Sequence, residues 1–506
     1  MERTNGKRIA KNTLMLYVRM LISMVVGLFT SRIIINTLGE IDFGLCNVVG
    51  GIVVMFGFIN TAMANATSRH LTYALGIADK IQLKKTFSAC VTIHIAIAII
   101  VLILSETIGL WFFYHKMVIP TERIDAAFWV FQFSILTSML TIINVPYMSS
   151  VIAHERMGAF AWLSISDVIL KLIIVYMLMI IPYDKLITYS ILLFIVYLIN
   201  WSIYRIYCLI KFEECHWIFF FEKTLYKELT TFASWTLIGN LAVILYSQGL
   251  NLLLNIFFGP TINAARAISN RVQSIIVQFS NNFQTALNPQ ITKSYANKNL
   301  AEMHQLIFAS SKYSCFLLFF LSLPIIIEAD QILHLWLGIV PDYTVTFLRI
   351  TFLSSIIDGI SNPIIISAQA TGKIKIYQIV IGGTLLLILP ISYILLKLDY
   401  PPTAVYITQL IIVIAAHLIR VIMVKPMIQL SIKQYTKNVI FKIIPVCLIS
   451  YIITLLTYFC YEETWLRIIY TSIASSLSML ILIYTIGLND TEKIIVKSKI
   501  QNFLNL

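Results

Sequence analysis

Five basic side chains lie inside segments that otherwise look built to cross a lipid bilayer: Arg19, Arg32, Lys171, Arg266 and Arg271. A cation near the middle of a membrane costs from about 3 to more than about 10 kcal/mol, so it normally faces water or a partner. A guanidinium group binds carboxylate or phosphate through paired hydrogen bonds. The pattern therefore predicts a hydrated cavity that receives an anionic group.

Polar residues accompany the most central of these cations, Arg271. At 100° per residue, one stripe of about 80° on its segment holds Arg271, Ser274, Gln278 and Asn282. The preceding segment carries a second polar face, formed by Asn240, Ser247 and Asn251. Such stripes can bind sugar hydroxyls or phosphate oxygens, whereas the alternative is hydrogen bonding between helices. We favour the cavity position for Arg271, because it is too central to reach the headgroup layer easily.

The other cations have more than one explanation. Arg19 and Arg32 lie toward opposite ends of the first segment, and Arg266 is shallower than Arg271, so each can face either the cavity or the headgroups. Asp167 and Lys171 are four residues apart on one predicted helix, and they can neutralise each other as a structural ion pair.

Asp358 is a second intramembrane carboxylate of interest, after Asp167. It lies four residues before Asn362 and Pro363, and a proline in a helix frees a backbone carbonyl. We therefore regard Asp358 as a candidate for H⁺ or Na⁺ coupling, alongside the Asp167 pair.

The composition defines the class of protein that must position these residues. Of 506 residues, 59% are apolar and only 12% are charged, and the mean hydropathy is +0.85, as in an integral membrane protein. The apolar runs are continuous rather than alternating, which predicts an all-α polytopic fold and excludes a barrel. Seven scattered cysteines and the lack of hydrolase, nucleotide-binding or metal-ligand motifs argue against an enzyme, a metal or another cofactor.

Apolar runs separated by charged breaks predict fourteen transmembrane helices. The first is too long for a signal-peptide core and should remain as a helix. Their ranges are 12–38, 44–66, 86–114, 124–153, 159–181, 186–210, 228–258, 262–288, 309–329, 345–371, 374–396, 402–424, 438–460 and 465–487.

Basic residues concentrate in alternate loops, which places both termini in the cytoplasm. The same asymmetry explains most of the net charge of +13 without a nucleic-acid partner. The eighth segment is the least apolar, yet without it every later basic loop would lie on the wrong side. A polar segment that must cross the membrane is expected to face a hydrated cavity or the substrate rather than lipid.

An internal repeat divides the helices into two lobes. Pro146, Ser150, Ala153 and Arg156 recur after 217 residues as Pro363, Ser367, Ala370 and Lys373. This predicts an N-lobe of six helices at 1–210, a cytoplasmic linker at 211–227 and a C-lobe of six helices at 228–424. Because six is even, a pseudo-twofold axis normal to the membrane should relate the lobes. Residues 425–506 then add two helices and a cytoplasmic tail.

Several short motifs in the first two helices resemble a known family. They are Ser31-Arg32, Leu38-Gly39, Asp42-Phe43-Gly44 and Val48-Val49-Gly50-Gly51. Together with Asn270-Arg271-Val272 and Asn288-Pro289, they resemble polysaccharide flippases of the multidrug/oligosaccharidyl-lipid/polysaccharide exporter superfamily. The topology agrees along the whole chain.

The resemblance implies a flippase of the bacterial cytoplasmic membrane. Such proteins move undecaprenyl-diphosphate-linked oligosaccharides, the repeat units of O-antigen, capsule or exopolysaccharide, between leaflets. In the related lipid II flippases, arginines of the first and eighth helices line the cavity near the diphosphate. By similarity Arg19 or Arg32, together with Arg271, would take that role, with the lipid tail among the membrane lipids.

Two other functions compete with this one. A multidrug or cation antiporter of the same fold should carry a buried carboxylate in its first lobe, but the first helix has no acid and Asp167 faces Lys171. A polytopic enzyme of glycan assembly, such as a polymerase, usually has a long external loop, which is absent. Flipping by alternating access is therefore the expected function.

Overall fold

The computed structural model describes residues 12–26, 57–116, 119–218, 222–337, 340–462 and 464–490. Isolated positions between residues 30 and 45, Phe220, and residues 492–494 and 497 are also described. Throughout these ranges the chain is helical, with short connections and no strand. The all-α polytopic fold is thus confirmed.

Each predicted helix has a counterpart among the described residues. We number them α1 to α14, and a short unnumbered helix, Ala329–Leu337, follows α9. Their bounds are α1 Asn12–Val26, α2 Gly57–Ile77, α3 Lys80–His115, α4 Thr121–Ala153, α5 Met157–Ile180, α6 Lys185–Lys211, α7 Lys223–Phe258, α8 Pro260–Ala296, α9 Leu300–Ile327, α10 Thr344–Ala370, α11 Lys375–Lys397, α12 Thr403–Ile428, α13 Ile432–Cys460 and α14 Trp465–Gly487.

Eleven of these helices are long and apolar enough to cross a membrane, counted over the described residues. The three exceptions are α1, α2 and α8. Helix α8 is nonetheless continuous over 37 residues, which is ample for a span at 1.5 Å per residue. Polar residues lower the mean hydropathy of α8, so hydropathy alone does not identify it as a span. The alternation of basic loops did predict that this helix crosses the membrane.

Some boundaries differ from the predicted ones. The second helix was predicted to end at residue 66, but α2 runs to Ile77 and takes in Arg69, which the sequence had assigned to a loop. Helix α7 begins at Lys223, so it absorbs the last part of the predicted linker. Charged residues at helix ends cause these errors, because an extra turn can extend beyond the hydrocarbon without a hydropathy signal.

The chain forms two compact units, residues 1–240 and 241–506. In the first unit α4 packs against α2, α3 and α6, and in the second α10 packs against α8, α9 and α12. Helices α13 and α14 pack on each other and on α9, so they belong to the second unit. The boundary lies inside α7. The pseudo-twofold axis and the predicted division at residues 210, 227 and 424 stay predictions.

The repeated proline motif occupies the same place in two helices. Pro146 lies inside α4 and Pro363 inside α10. Each stands seven residues before the last residue of its helix, Ala153 or Ala370. The sequence repeat therefore corresponds to a repeated local structure.

Candidate functional site

Helix α8 presents an exposed polar stripe that begins at Arg271. Arg271, Ser274 and Gln278 are exposed. Asn281 is exposed and extends the stripe, whereas Asn282 is only 6% exposed. The placement of Asn282 on the exposed stripe was wrong, since a single residue moves a side chain by 100° around the helix.

The opposite face of α8 is also polar, but its groups are used within the fold. Gln284 Nε2 donates to Ser314 Oγ at 2.9 Å and to the Gly359 carbonyl at 2.8 Å. Asn362 Nδ2 donates to Gln284 Oε1 at 2.5 Å, and Gln273 Nε2 to Ser355 Oγ at 2.8 Å. These bonds hold α8 to α9 and α10. Only one side of this polar helix is therefore available to a ligand.

Arg271 is unpaired in the described part of the chain. Among the residues that the structure describes, its guanidinium group forms no hydrogen bond or ion pair, and its side chain is exposed. The neighbouring Ser274 hydroxyl donates to the Arg271 carbonyl at 2.8 Å, which leaves the Arg271 side chain unconstrained. It can therefore receive a carboxylate or phosphate group.

Arg266 is placed differently from Arg271. It is 4% exposed, and its Nε donates to Asn251 Oδ1 at 2.5 Å. Its Nη2 donates to the Ser247 carbonyl at 3.2 Å, and the group lies 5.6 Å from the centre of the Tyr406 ring. These contacts join α7 to α8 and favour a structural role over a cavity position.

The same contacts account for much of the predicted polar face of α7. Asn251 accepts from Arg266, and its Nδ2 donates to Gln248 Oε1 at 3.2 Å. Asn240 is half-buried, and its Nδ2 is buried without a hydrogen-bond partner in the described part of the chain. Asn240 therefore has spare hydrogen-bonding capacity.

Two of the N-terminal cations can be described. Lys171 Nζ donates to Asp167 Oδ2 at 2.8 Å and lies 4.7 Å from the centre of the Tyr197 ring. Asn200 donates to the other Asp167 oxygen at 3.1 Å, so the pair behaves as a structural ion pair. Arg19 is half-buried, with its guanidinium carbon 5.0 Å from the centre of the Phe160 ring. Arg32 lies outside the described residues.

Asp358 is exposed on α10 and forms no ion pair with a described residue. Near it lies a cation that the sequence had counted with a loop, Arg420 on α12. Arg420 is 6% exposed, and its Nε and Nη1 are buried without a hydrogen-bond partner in the ranges described above. Its position inside the predicted segment 402–424 was the signal that could have identified it.

A second group missed by the sequence lies at the ends of α2 and α7, in the N-terminal unit. Arg69 is 8% exposed, and its Nη1 lies 3.8 Å from Glu228 Oε1. Its guanidinium carbon is 4.9 Å from the centre of the Tyr73 ring. A cavity of about 260 Å³ is lined in part by His70, Tyr73 and Glu228. Arg69 and Glu228 offset each other here, and a second carboxylate, Asp79, also lines the cavity.

The segment between α6 and α7 is fastened to the N-terminal unit by ion pairs. Glu213 pairs with Lys80 and Glu222 with Lys85, each at 3.0 Å. His154 Nε2 lies 2.5 Å from Glu214 Oε1. Burial alone would raise the pKa of Glu214, but its hydrogen bonds, led by that with His154, hold the pKa below the ordinary value. The predicted linker is therefore docked on its own lobe.

In the part of the chain that the structure describes, no three His, Cys, Asp or Glu side chains are grouped as metal ligands. Alkali cations do not require such a cluster. Those cations bind oxygen atoms of carboxylates, amides and carbonyls, as Asp358 and Asn362 would offer.

Comparison with known proteins identifies the fold. Residues 236–394 match the family model MatE, and no curated protein sequence matches the chain significantly. The MATE transporter ClbM in complex with Rb⁺ has a TM-score of 0.71 at 17% identity, covering 85% of this chain and 97% of its own. A multidrug resistance MATE family transporter in an outward-facing conformation has a TM-score of 0.70 at 13% identity, covering 83% and 96%.

A third solved structure is a superfamily transporter from Pyrococcus furiosus, described as having a binding pocket of reverse polarity that suggests a different function. Its TM-score is 0.69 at 12% identity, and the match covers 83% of this chain and 96% of that one. These structures share the fold of this chain, whereas the polysaccharide-flippase branch stays a prediction. The chain thus has the fold of the MATE transporters, and residues 236–394 carry the sequence pattern of the MatE family.

Proposed function

We propose that this chain is a secondary transporter that works by alternating access, and that it is an antiporter of the multidrug type. The supporting observation is the MatE match over α7 to α11 together with the MATE fold. Two structural neighbours are described as a multidrug resistance transporter and as a transporter bound to Rb⁺. The comparisons therefore favour the antiporter over the lipid-linked oligosaccharide flippase that the sequence suggested. The proposed activity is transport, without a catalysed reaction.

One observation keeps the flippase as the second candidate. Arg271 is an exposed, unpaired guanidinium in the described part of a membrane helix, with Ser274 and Gln278 on the same stripe. An organic cation would be repelled there, whereas a diphosphate would be bound through paired hydrogen bonds. The superfamily transporter of reverse pocket polarity supports the idea that this fold can serve differently charged substrates.

The test reconstitutes the purified protein into proteoliposomes with two separate assays. The antiporter predicts drug-dependent H⁺ or Na⁺ flux that is unaffected by sugar lipids. The flippase predicts protection of a labelled undecaprenyl-diphosphate oligosaccharide from an external reagent. Flux without flipping supports our proposal, whereas flipping without flux overturns it in favour of the second candidate, and neither activity overturns both.

The Arg271→Gln variant tests whether the substrate that meets the α8 stripe is anionic or cationic. If the substrate is anionic, its transport should fall at least about tenfold, because a hydrogen bond to a charged group contributes roughly 1.5–3 kcal/mol. Transport of an organic cation should instead be unchanged or faster. Lys298→Gln, an exposed lysine just beyond the same helix, is the matched control and should leave both assays unchanged.

A further inference from the structure

Arg420 is a buried charge with no ion pair at salt-bridge distance among the described residues. Its side chain is 6% exposed, and two of its three guanidinium nitrogens are buried with no hydrogen-bond partner in the ranges described. Burying an ion without a partner is strongly unfavourable, so such a group needs an explanation.

The packing of α10 against α12 brings Arg420 toward Asp358. Ser361 Oγ and His417 Nδ1 lie 2.8 Å apart and fix the register of the two helices. Asp358 lies about one turn before Ser361, and Arg420 about one turn after His417. Because helical side chains lean toward the helix N-terminus, the long Arg420 side chain leans back toward this contact.

Cationic side chains outnumber carboxylates around the contact between Ser361 and His417. The charge of Arg420 acts on the Asp358 carboxylate, and both act on Tyr246 of α7, together with Arg266. Asp358 itself is exposed and has no ion-pair partner among the described residues. The second unit therefore sets two buried guanidinium groups against one accessible carboxylate.

The oxygen atoms of α10 would otherwise suit an alkali cation. Asp358 and Asn362 are four residues apart and share a helix face. Asn362 donates through its nitrogen to Gln284, which leaves its own oxygen free to act as a ligand. What opposes a cation here is the charge of Arg420, not a lack of ligands.

We propose that Arg420 is a fixed counter-charge that takes the place of an exchangeable alkali cation beside Asp358. The proposal rests on the proposed transporter function only in that it concerns the coupling ion. A unit charge within one or two helical turns weakens cation binding by at least about tenfold at the effective dielectric of a protein. Coupling in this chain would then not use Na⁺ or K⁺ at Asp358.

The test is equilibrium binding of radioactive Rb⁺ to the purified full-length protein in detergent. The wild-type protein should show no Rb⁺ binding that depends on Asp358. Arg420→Gln should gain a site at least about tenfold tighter, and Asp358→Asn in that background should abolish it. Arg420→Met, which keeps an unbranched apolar stem without the charge, is the second variant if Arg420→Gln does not fold.

A wild-type protein that binds Rb⁺ through Asp358 as tightly as Arg420→Gln would overturn the proposal. So would Arg420 variants that fold and gain no Rb⁺ site. Lys425→Gln, an exposed lysine five residues further along α12, controls for a general loss of positive charge and should not create a site. Since the assay requires no transport, failure of the drug-flux experiment leaves its result interpretable.

Discussion

At the scale of residues, the cations of this protein differ chiefly in the partners they have. Arg467 is a buried cation with a paired carboxylate: its Nε and Nη2 each lie 3.1 Å from a Glu328 carboxylate oxygen. The side chains are 7% and 0% exposed, and Arg467 lies 4.1 Å from the centre of the Tyr458 ring. The pair fastens the start of α14 to the end of α9, so it should stabilise the second unit without binding a ligand.

We expect Glu328→Leu and Arg467→Met each to lower the free energy of unfolding by about 3–5 kcal/mol, because each leaves a buried charge unpaired. The double variant removes both charges and should be considerably more stable than additivity predicts. Denaturant unfolding in detergent measures this. The exposed Glu462→Gln is the matched control, and additive losses in the double variant would contradict the pairing.

Sequence spacing alone identified some of these residues. The four-residue separation of Asp167 and Lys171 predicted their ion pair. The central position of Arg271 predicted that it faces a cavity, which stays a prediction. The roles of Arg266 and Arg420 were not predictable in this way, because their burial depends on Tyr406 and on α10, which are distant in sequence. Partners brought together only by tertiary packing leave no spacing signal.

At the scale of elements, α8 is the informative helix because it is polar on two sides for different reasons. Gln284, which is 1% exposed, bonds to Ser314, Gly359 and Asn362. Gln278, on the same helix, is exposed. Hydropathy cannot separate a polar helix that packs through hydrogen bonds from one that lines water, whereas loop parity established that this helix crosses.

Gln284→Leu should therefore lower the free energy of unfolding by about 1–3 kcal/mol, since it leaves buried partners unsatisfied. Gln278→Leu is the same change on the exposed side and should leave stability within about 0.5 kcal/mol. Thermal unfolding of both variants in detergent compares them. Equal losses would show that the two faces are not distinct.

At the scale of the whole molecule, the fold was predictable and the substrate was not. Helix count and all-α class follow from hydropathy and charge, which act along the chain. Substrate charge depends on which side chains face the transport path. The sequence favoured a flippase, whereas we propose an antiporter. The cytoplasmic placement of both termini and the bacterial cytoplasmic membrane stay predictions.

Alternating access requires the exposed stripe of α8 to meet each side of the membrane in turn. The most direct test labels Ser274→Cys with a membrane-impermeant thiol reagent, in a background with the seven native cysteines replaced. Ser280→Cys, on the same helix but 1% exposed, is the matched control. We expect Ser274→Cys to react with reagent applied from either side and Ser280→Cys from neither; reaction of Ser274→Cys from only one side would contradict the account.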